Sequence, residues 1–332
     1  GAELFVVDDG WFGRRNPDES GGIHDGLGDW WVDPQKFPEG LEPLIDAVRS
    51  VGMQFGIWVE PEMVNPDSDL FAAHPEWIYA EPGRDVDQAR GQYVLNLTLP
   101  AVREFIVETL DGLLGDNAID YVKWDANRPM SQVGAQRDVW YGHIAALYGI
   151  VDEIKRRHPG VLIEACASGG GRIDFGALGV FDDFWTSDNT DALDRLEIQR
   201  AYSLIYPPRA MRAWVTDVPN FLSQRSIPLQ FRFHSAMMGS LGVGCDLTAM
   251  SEEDLSACAR FVAEYKQLRP LMVDFHRLEN PSPNDYRLFQ YSSHEGAVVF
   301  AFLPSSRLGH KPTTVRLRGL DPQARYRFTH DW

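Results

Sequence analysis

The stretch Ile119-Asp-Tyr-Val-Lys-Trp-Asp-Ala-Asn127 passes from an apolar run into a cluster of charged and amide side chains. Residues 119–124 read as a buried strand, because β-branched and aromatic residues dominate them. Upstream, Val102, Phe105, Ile106, Leu110 and Leu113 recur at i, i+3, i+4 spacing and predict a helix over 101–114. Downstream, an amphipathic stretch predicts a helix over 137–157. A strand between two helices, with its polar residues gathered at its C-terminal end, is the repeating unit of a parallel α/β sheet.

The same unit recurs on both sides. Strands are expected at 4–8, 54–59, 93–97, 161–165, 183–186, 210–215 and 241–245, and helices at 41–51, 192–204, 229–238 and 251–268. Leu41, Leu44, Ile45 and Val48 repeat the helical spacing. Eight alternations within about 270 residues match a (β/α)8 TIM barrel, whose usual length is about 250 residues. A doubly wound sheet is the alternative. Residues 1–270 therefore read as the barrel. Beyond residue 268 the pattern changes: Arg287-Leu-Phe-Gln-Tyr, Gly296-Ala-Val-Val-Phe-Ala-Phe and Thr313-Thr-Val-Arg-Leu are separated by turn-rich Asn280-Pro-Ser-Pro-Asn-Asp285 and His294-Glu-Gly296. This predicts a partial antiparallel β-domain over 275–332.

Composition limits the function. Of 332 residues, 44% are hydrophobic and 24% charged, near globular averages. The net charge of −17 repels phosphate backbones and argues against nucleic acid. The longest apolar runs fall short of the roughly 20 residues that cross a bilayer, so no membrane span is expected. Three cysteines, Cys166, Cys245 and Cys258, lack Cys-x-x-Cys or Cys/His ligand spacing. Neither a disulfide framework nor a zinc site is supported, and a cytoplasmic location is the expectation.

In a (β/α)8 barrel the strand C-termini form the active face. Those ends supply Asp8 and Asp9, Trp58 and Glu60, Lys123 and Asp125, Cys166, and Asp188. Lys123 and Asp125 alternate by two and share the inner face of their strand, where an unpaired charge is costly. They form either a structural ion pair or a site. Asp8-Asp9-Gly10 also reads as a plain turn. Asp188 precedes a predicted helix and could serve as its N-cap, a role open equally to Asn189 or Thr190. Ala167-Ser-Gly-Gly-Gly-Arg172 resembles a phosphate cradle but lacks the Lys-Ser/Thr of a P-loop, so close backbone approach to a neutral ligand fits it better. Two carboxylates facing one Trp-lined cavity are what glycosidic cleavage requires. The separation that distinguishes retention (about 5–5.5 Å) from inversion (about 6.5–9.5 Å) is not readable from sequence.

At these residues the chain closely resembles the α-galactosidases of glycoside hydrolase family 36. The likeness runs from about Leu4 to Pro281. It rests on Phe5-Val-Val-Asp-Asp-Gly-Trp-Phe-Gly13, Gly28-Asp-Trp30, Lys36-Phe-Pro-Glu-Gly-Leu41, Trp58-Val-Glu-Pro-Glu-Met-Val-Asn-Pro-Asp-Ser-Asp69, Tyr121-Val-Lys-Trp-Asp125, Cys166-Ala-Ser-Gly-Gly-Gly-Arg172 and Trp185-Thr-Ser-Asp-Asn-Thr-Asp-Ala192. The resemblance implies a retaining enzyme acting on terminal α-1,6-linked galactose, as in melibiose and raffinose, without metal or cofactor. Asp125 would be the nucleophile and Asp188 the general acid/base. Asp8 and Asp9 would hold the galactose O4 and O6 hydroxyls and Trp58 would pack on the sugar. Arg90, Lys123 and Asn127 would line the pocket, and Cys166 with Gly169 would border O2.

The chain departs from the family pattern at Arg90-Gly-Gln-Tyr-Val-Leu-Asn96, at Ala126 and at Met211-Arg212. Family members carry a large N-terminal β-sandwich before the barrel. This chain begins at barrel strand 1 and is therefore expected to be a fragment, weakly active alone, whose full-length protein could be a homo-oligomer. Rival readings are α-N-acetylgalactosaminidase, galactosyl transfer of the raffinose-synthase type, and a noncatalytic galactose-binding fragment. A metal-dependent isomerase is disfavoured, because the nine histidines do not cluster with acids at strand ends.

Overall fold

The computed structural model describes residues 1–13, 16–17, 23–24, 26–134, 138–278, 286–304 and 315–329. The expected turn at 280–285 lies outside them, as does the start of the expected strand at 313–317. Residues 315–317 carry no strand. Two units are resolved, Ala2–Trp185 and Thr186–Trp332.

In the first unit the parallel strands are β1 (Leu4–Val7), β2 (Gln54–Val59), β5 (Tyr121–Trp124), β6 (Leu162–Ala165) and β7 (Asp183–Trp185), adjacent in that order. A separate antiparallel pair is formed by β3 (Met63–Val64) and β4 (Tyr93–Val94). The register pairs Trp58 with Lys123, Lys123 with Glu164, and Glu164 with Asp183. Because side chains alternate along a strand, these polar residues share one face. At Gly56, on the same face of β2, an added Cβ would lie 3.0 Å from both Tyr121 Cβ and Val6 Cγ2, so glycine is what lets the three strands' side chains converge. Helices α1 (Glu42–Ser50), α2 (Asp69–Ala73), α3 (Pro100–Asp116), α4 (Val139–Arg157) and α5 (Ala177–Val180) bury apolar stripes. In α3 the stripe is Val102, Ile106, Leu110, Leu113 and Leu114, as its spacing predicts.

One expected strand differs. Of 93–97 only Tyr93–Val94 is strand, and it pairs antiparallel with Met63–Val64, while β2 pairs directly with β5. The backbone of this stretch is used elsewhere: the Leu95 N–H donates to the Glu62 carbonyl (2.9 Å) and the Asn96 N–H to that of Trp77 (2.7 Å). The Asn96 carboxamide oxygen then accepts the Thr98 N–H (3.0 Å), turning the chain toward α3.

The second unit holds α6 (Ala192–Tyr202), parallel strands β8 (Met211–Val215) and β9 (Ser240–Val243), helices α7 (Leu229–Ala236) and α8 (Glu252–Leu268), and the antiparallel strands β10 (Asp274–Arg277), β11 (Arg287–Ser292) and β12 (Ala297–Phe302). Leu196, Val215, Phe233 and Met237 form one buried cluster with Phe289, Tyr291, Phe300 and Phe302. The antiparallel strands thus share a core with α6, β8 and α7. The Tyr291 hydroxyl, buried there, donates to the Met238 carbonyl and so avoids an unsatisfied polar group. Among the described residues no helix is long and apolar enough to cross a membrane.

Candidate active site

The C-terminal end of β5 delivers Asp125 into a set of fixed donors. Its Oδ2 accepts the Trp58 indole N–H (3.1 Å) and the Asn127 amide (2.7 Å), and its Oδ1 accepts the Ala126 N–H (2.8 Å). Burial pushes this carboxyl up. Hydrogen bonding from Cys166, the charge of Lys123 and the Asn127 and Ala126 donors outweigh that and hold it below the usual carboxylate range. It is therefore a buried carboxylate, 6% exposed, that is ionised at neutral pH and fixed in direction. Trp58 is itself buried, and its carbonyl accepts the Trp11 indole N–H (2.8 Å). Phe12 stacks on its ring, with centroids 5.8 Å apart.

Lys123 forms an ion pair at the strand ends, with Asp8 as its partner. Its Nζ meets Asp8 Oδ2 at 2.7 Å. Burial opposes its charge, but Asp8 and Glu164 prevail and the ammonium stays protonated. The Asp8 carboxylate is half exposed, and the Asp9 N–H donates to Asp8 Oδ1 (2.9 Å), so the Asp8-Asp9 turn presents two acids at the end of β1. Arg90 is exposed in a left-handed conformation (φ +55°), and its charge reaches Glu60.

Behind β6, Ser168 (φ +45°) and Gly169 (φ +86°) make a left-handed turn. A Cβ on Gly171 would meet the Ala167 carbonyl oxygen at 2.6 Å, so glycine is sterically required at that position. The turn brings the Gly169 amide to the Cys166 thiol, which burial and the Asp125 charge keep strongly protonated. The Ser168 hydroxyl donates to Asn127 Oδ1 (3.2 Å). Asp125, Trp58, Lys123, Asn127, Cys166, Gly169 and Asp8 therefore belong to one constellation, with Asp9 and Arg90 at its margin.

Two acids beside it carry more structure than the sequence reading gave them. Glu60 Oε1 accepts the Asn127 N–H and its Oε2 lies 3.4 Å from Gln92 Nε2. Burial, reinforced by the Asp125 charge, raises its pKa to about 8. Glu62 accepts the Trp124 indole N–H (2.8 Å) and Arg172 at Oε1, and faces His143 Nε2 (3.0 Å) at Oε2. Burial again opposes ionisation, but Arg172 and His143 bring its pKa down to about 2. Glu62 and His143 were missed as functional candidates. The available signals were an acid beside apolar Met63-Val64 and a histidine on the buried face of α4 with Val139 and Leu147.

In the second unit, Asp188 is exposed on the segment leading into α6. The cap of α6 is Asp191, which accepts the Leu193 and Asp194 N–H groups (both 3.0 Å), and none of Asp188, Asn189 and Thr190 takes that role. Asn189 Oδ1 accepts the Asp191 N–H (3.0 Å), and the Thr190 hydroxyl meets those of Thr216 (2.9 Å) and the Asn220 amide (3.0 Å), so both side chains are committed. Asp191 also binds Arg225 (2.7 Å) and Ser223 (2.5 Å).

A family model described as Melibiase matches residues 1–274, and one described as the glycosyl hydrolase family 36 C-terminal domain matches residues 288–331. The chain is 41% identical over 338 residues to a probable alpha-galactosidase C of Aspergillus flavus, covering 98% of this chain and 45% of that protein. It is 40% identical over 337 residues to alpha-galactosidase AgaA of Geobacillus stearothermophilus, covering 98% and 46%. The crystal structure of that AgaA matches with a TM-score of 0.89 at 39% identity, over 96% of this chain and 45% of that one. An AgaA variant in complex with raffinose matches with a TM-score of 0.90 at 39% identity, over 97% and 46%. The fold class is accordingly a (β/α)8 barrel followed by an antiparallel β-domain. The chain spans less than half the length of these relatives.

Proposed function

The chain belongs to the melibiase family of glycoside hydrolase family 36, and on that premise we propose that it hydrolyses terminal α-1,6-linked galactose from melibiose- and raffinose-type oligosaccharides with retention of configuration. The relatives are named alpha-galactosidases, and AgaA variants are described in complex with raffinose and with stachyose. The observation that carries the reading is Asp125, a buried carboxylate kept ionised and aimed by Trp58, Asn127 and Cys166.

Asp125 attacks the anomeric carbon while Asp188 gives its proton to the departing glycosidic oxygen, forming a covalent galactosyl ester. Asp188 then takes a proton from water, which attacks the same carbon and releases Asp125. Asp8 and Asp9 accept galactose hydroxyls, and the Lys123 ammonium, 2.7 Å from Asp8 Oδ2, fixes the direction of that carboxylate. Trp58 contributes through its N–H to Asp125 as well as through its ring, while Arg90, Asn127, Cys166 and Gly169 line the sugar. Residues 1–270 act as the catalytic barrel and 275–332 as a partial C-terminal domain, a division supported by the limits of the two family models. Three free cysteines support a cytoplasmic location, and the full-length protein is a homo-oligomer in this reading.

Hydrolysis of p-nitrophenyl α-galactoside by the chain and by Asp125→Ala and Asp188→Ala tests the proposal. Both substitutions should lower kcat by at least about a thousandfold, and azide should rescue Asp125→Ala to give β-galactosyl azide. Full activity in Asp125→Ala would remove the nucleophile assignment. Preference for the N-acetylgalactosaminide would favour the rival specificity.

A further inference from the structure

Glu62 is 2% exposed and lies two residues past Glu60, yet it points into a different set of partners. One oxygen takes the Trp124 indole N–H and an Arg172 nitrogen, and the other faces His143 Nε2, whose Nδ1 lies 3.1 Å from the Tyr79 hydroxyl. Both oxygens thus have partners, and the His143 ring bridges Glu62 and the Tyr79 hydroxyl through its two nitrogens. Its partners Trp124, Arg172 and His143 are not among the residues proposed to touch the sugar.

Arg172 converts this anchor into a constraint. Its second terminal nitrogen donates to the carbonyls of Cys166 (2.8 Å) and Trp124 (3.3 Å). The Trp124 carbonyl is also the acceptor for the Cys166 N–H (2.8 Å), the last rung joining β5 to β6. Trp124 immediately precedes Asp125, and Cys166 bears the thiol that bonds it. A planar guanidinium holding one carboxylate and two carbonyls fixes direction in a way that a lysine cannot. Glu62 also holds Trp124 directly through its indole, so this residue is held at both its side chain and its carbonyl.

We propose that Glu62 and Arg172 are positioning residues: together they lock the last rung between β5 and β6 and thereby aim the Asp125 carboxylate. The inference rests on the galactosidase reading for what Asp125 does, but its geometric content is independent of turnover. The Trp58 indole N–H donates to Asp125 Oδ2, so it reports where that carboxylate stands.

The experiment uses the full chain with 15N-labelled tryptophan, and Trp58→Phe assigns the reporter signal. In Glu62→Gln, which keeps the shape, and Arg172→Lys, which keeps the charge, the Trp58 indole resonance should move toward its position in Asp125→Ala. With p-nitrophenyl α-galactoside, kcat should fall by about a hundredfold while KM and galactose binding stay within a factor of about three. An unmoved Trp58 signal in either folded variant overturns the proposal whether or not the chain hydrolyses galactosides. An inactive parent whose Trp58 signal does respond overturns the activity reading and leaves the positioning role standing. Parallel loss of kcat and galactose binding would show a general structural role and would also overturn it.

Discussion

Glu60 and Glu62 sit two residues apart, both buried, and are driven to opposite charge states at neutral pH. Burial and the nearby Asp125 charge push Glu60 up to about 8, while Arg172 and His143 bring Glu62 down to about 2 in spite of its burial. Below pH 4.5 the folded and unfolded chains both hold the Glu60 proton. Between 4.5 and about 8 only the folded chain holds it, and above about 8 the cost of burying the charge is fully present. Stability from this group therefore declines as pH rises through that window. Glu60→Gln, which has no such charge, should gain melting temperature relative to the parent between pH 5 and pH 9, as read by calorimetry. A constant difference across that range would show that Glu60 is ionised throughout. Glu62 behaves in the opposite sense: its contribution is present above pH 4.5 and is lost only as pH falls toward about 2.

The strand ends and helix caps translate such residues into a site. Asp191 ties the start of α6 to Ser223 and Arg225 and has a side chain with no exposure. Asp191→Ala removes two cap bonds and the bonds to Ser223 and Arg225, leaving Arg225 with Asp194, and should cost about 2 kcal/mol or more in urea denaturation. A loss below about 0.5 kcal/mol would mean that Asn189 or Thr190 takes over the cap. Elements were legible where one period dominated: α3 and α4 follow their apolar stripes, and β5 ends where Lys123 and Asp125 begin the polar cluster. The stretch 93–97 misled because an apolar run does not say which neighbour its backbone will bond, and here Glu62 and Trp77 supplied the acceptors. The individual acids at strand ends were visible for the same reason of alternation. Glu62 and His143 were not, since their meeting depends on a separation of 81 residues in sequence. The cap went to Asp191 because Asn189 is committed to Asp191 and Asp194 nearby and Thr190 to the distant Thr216 and Asn220, which no local pattern reveals.

For the whole chain, the net charge of −17 suits a neutral substrate and disfavours polyanions. The packing of the second unit carries its own expectation. Phe300 is 6% exposed in a cluster that includes Phe233, Met237 and Val215, so Phe300→Ala should cost about 3–5 kcal/mol in denaturant unfolding, felt across that unit as one transition. An early, separate transition of the antiparallel strands would contradict this. The same shared cluster governs how pieces of this protein could be exchanged with those of its relatives. A splice placed just before β10 looks natural on paper, yet it would mate foreign Phe289, Tyr291 and Phe300 counterparts with resident α6, β8 and α7. Viable chimeras should therefore carry those three elements along with the strands, and a recombination library would be expected to show its crossovers thinning out between residues 192 and 302.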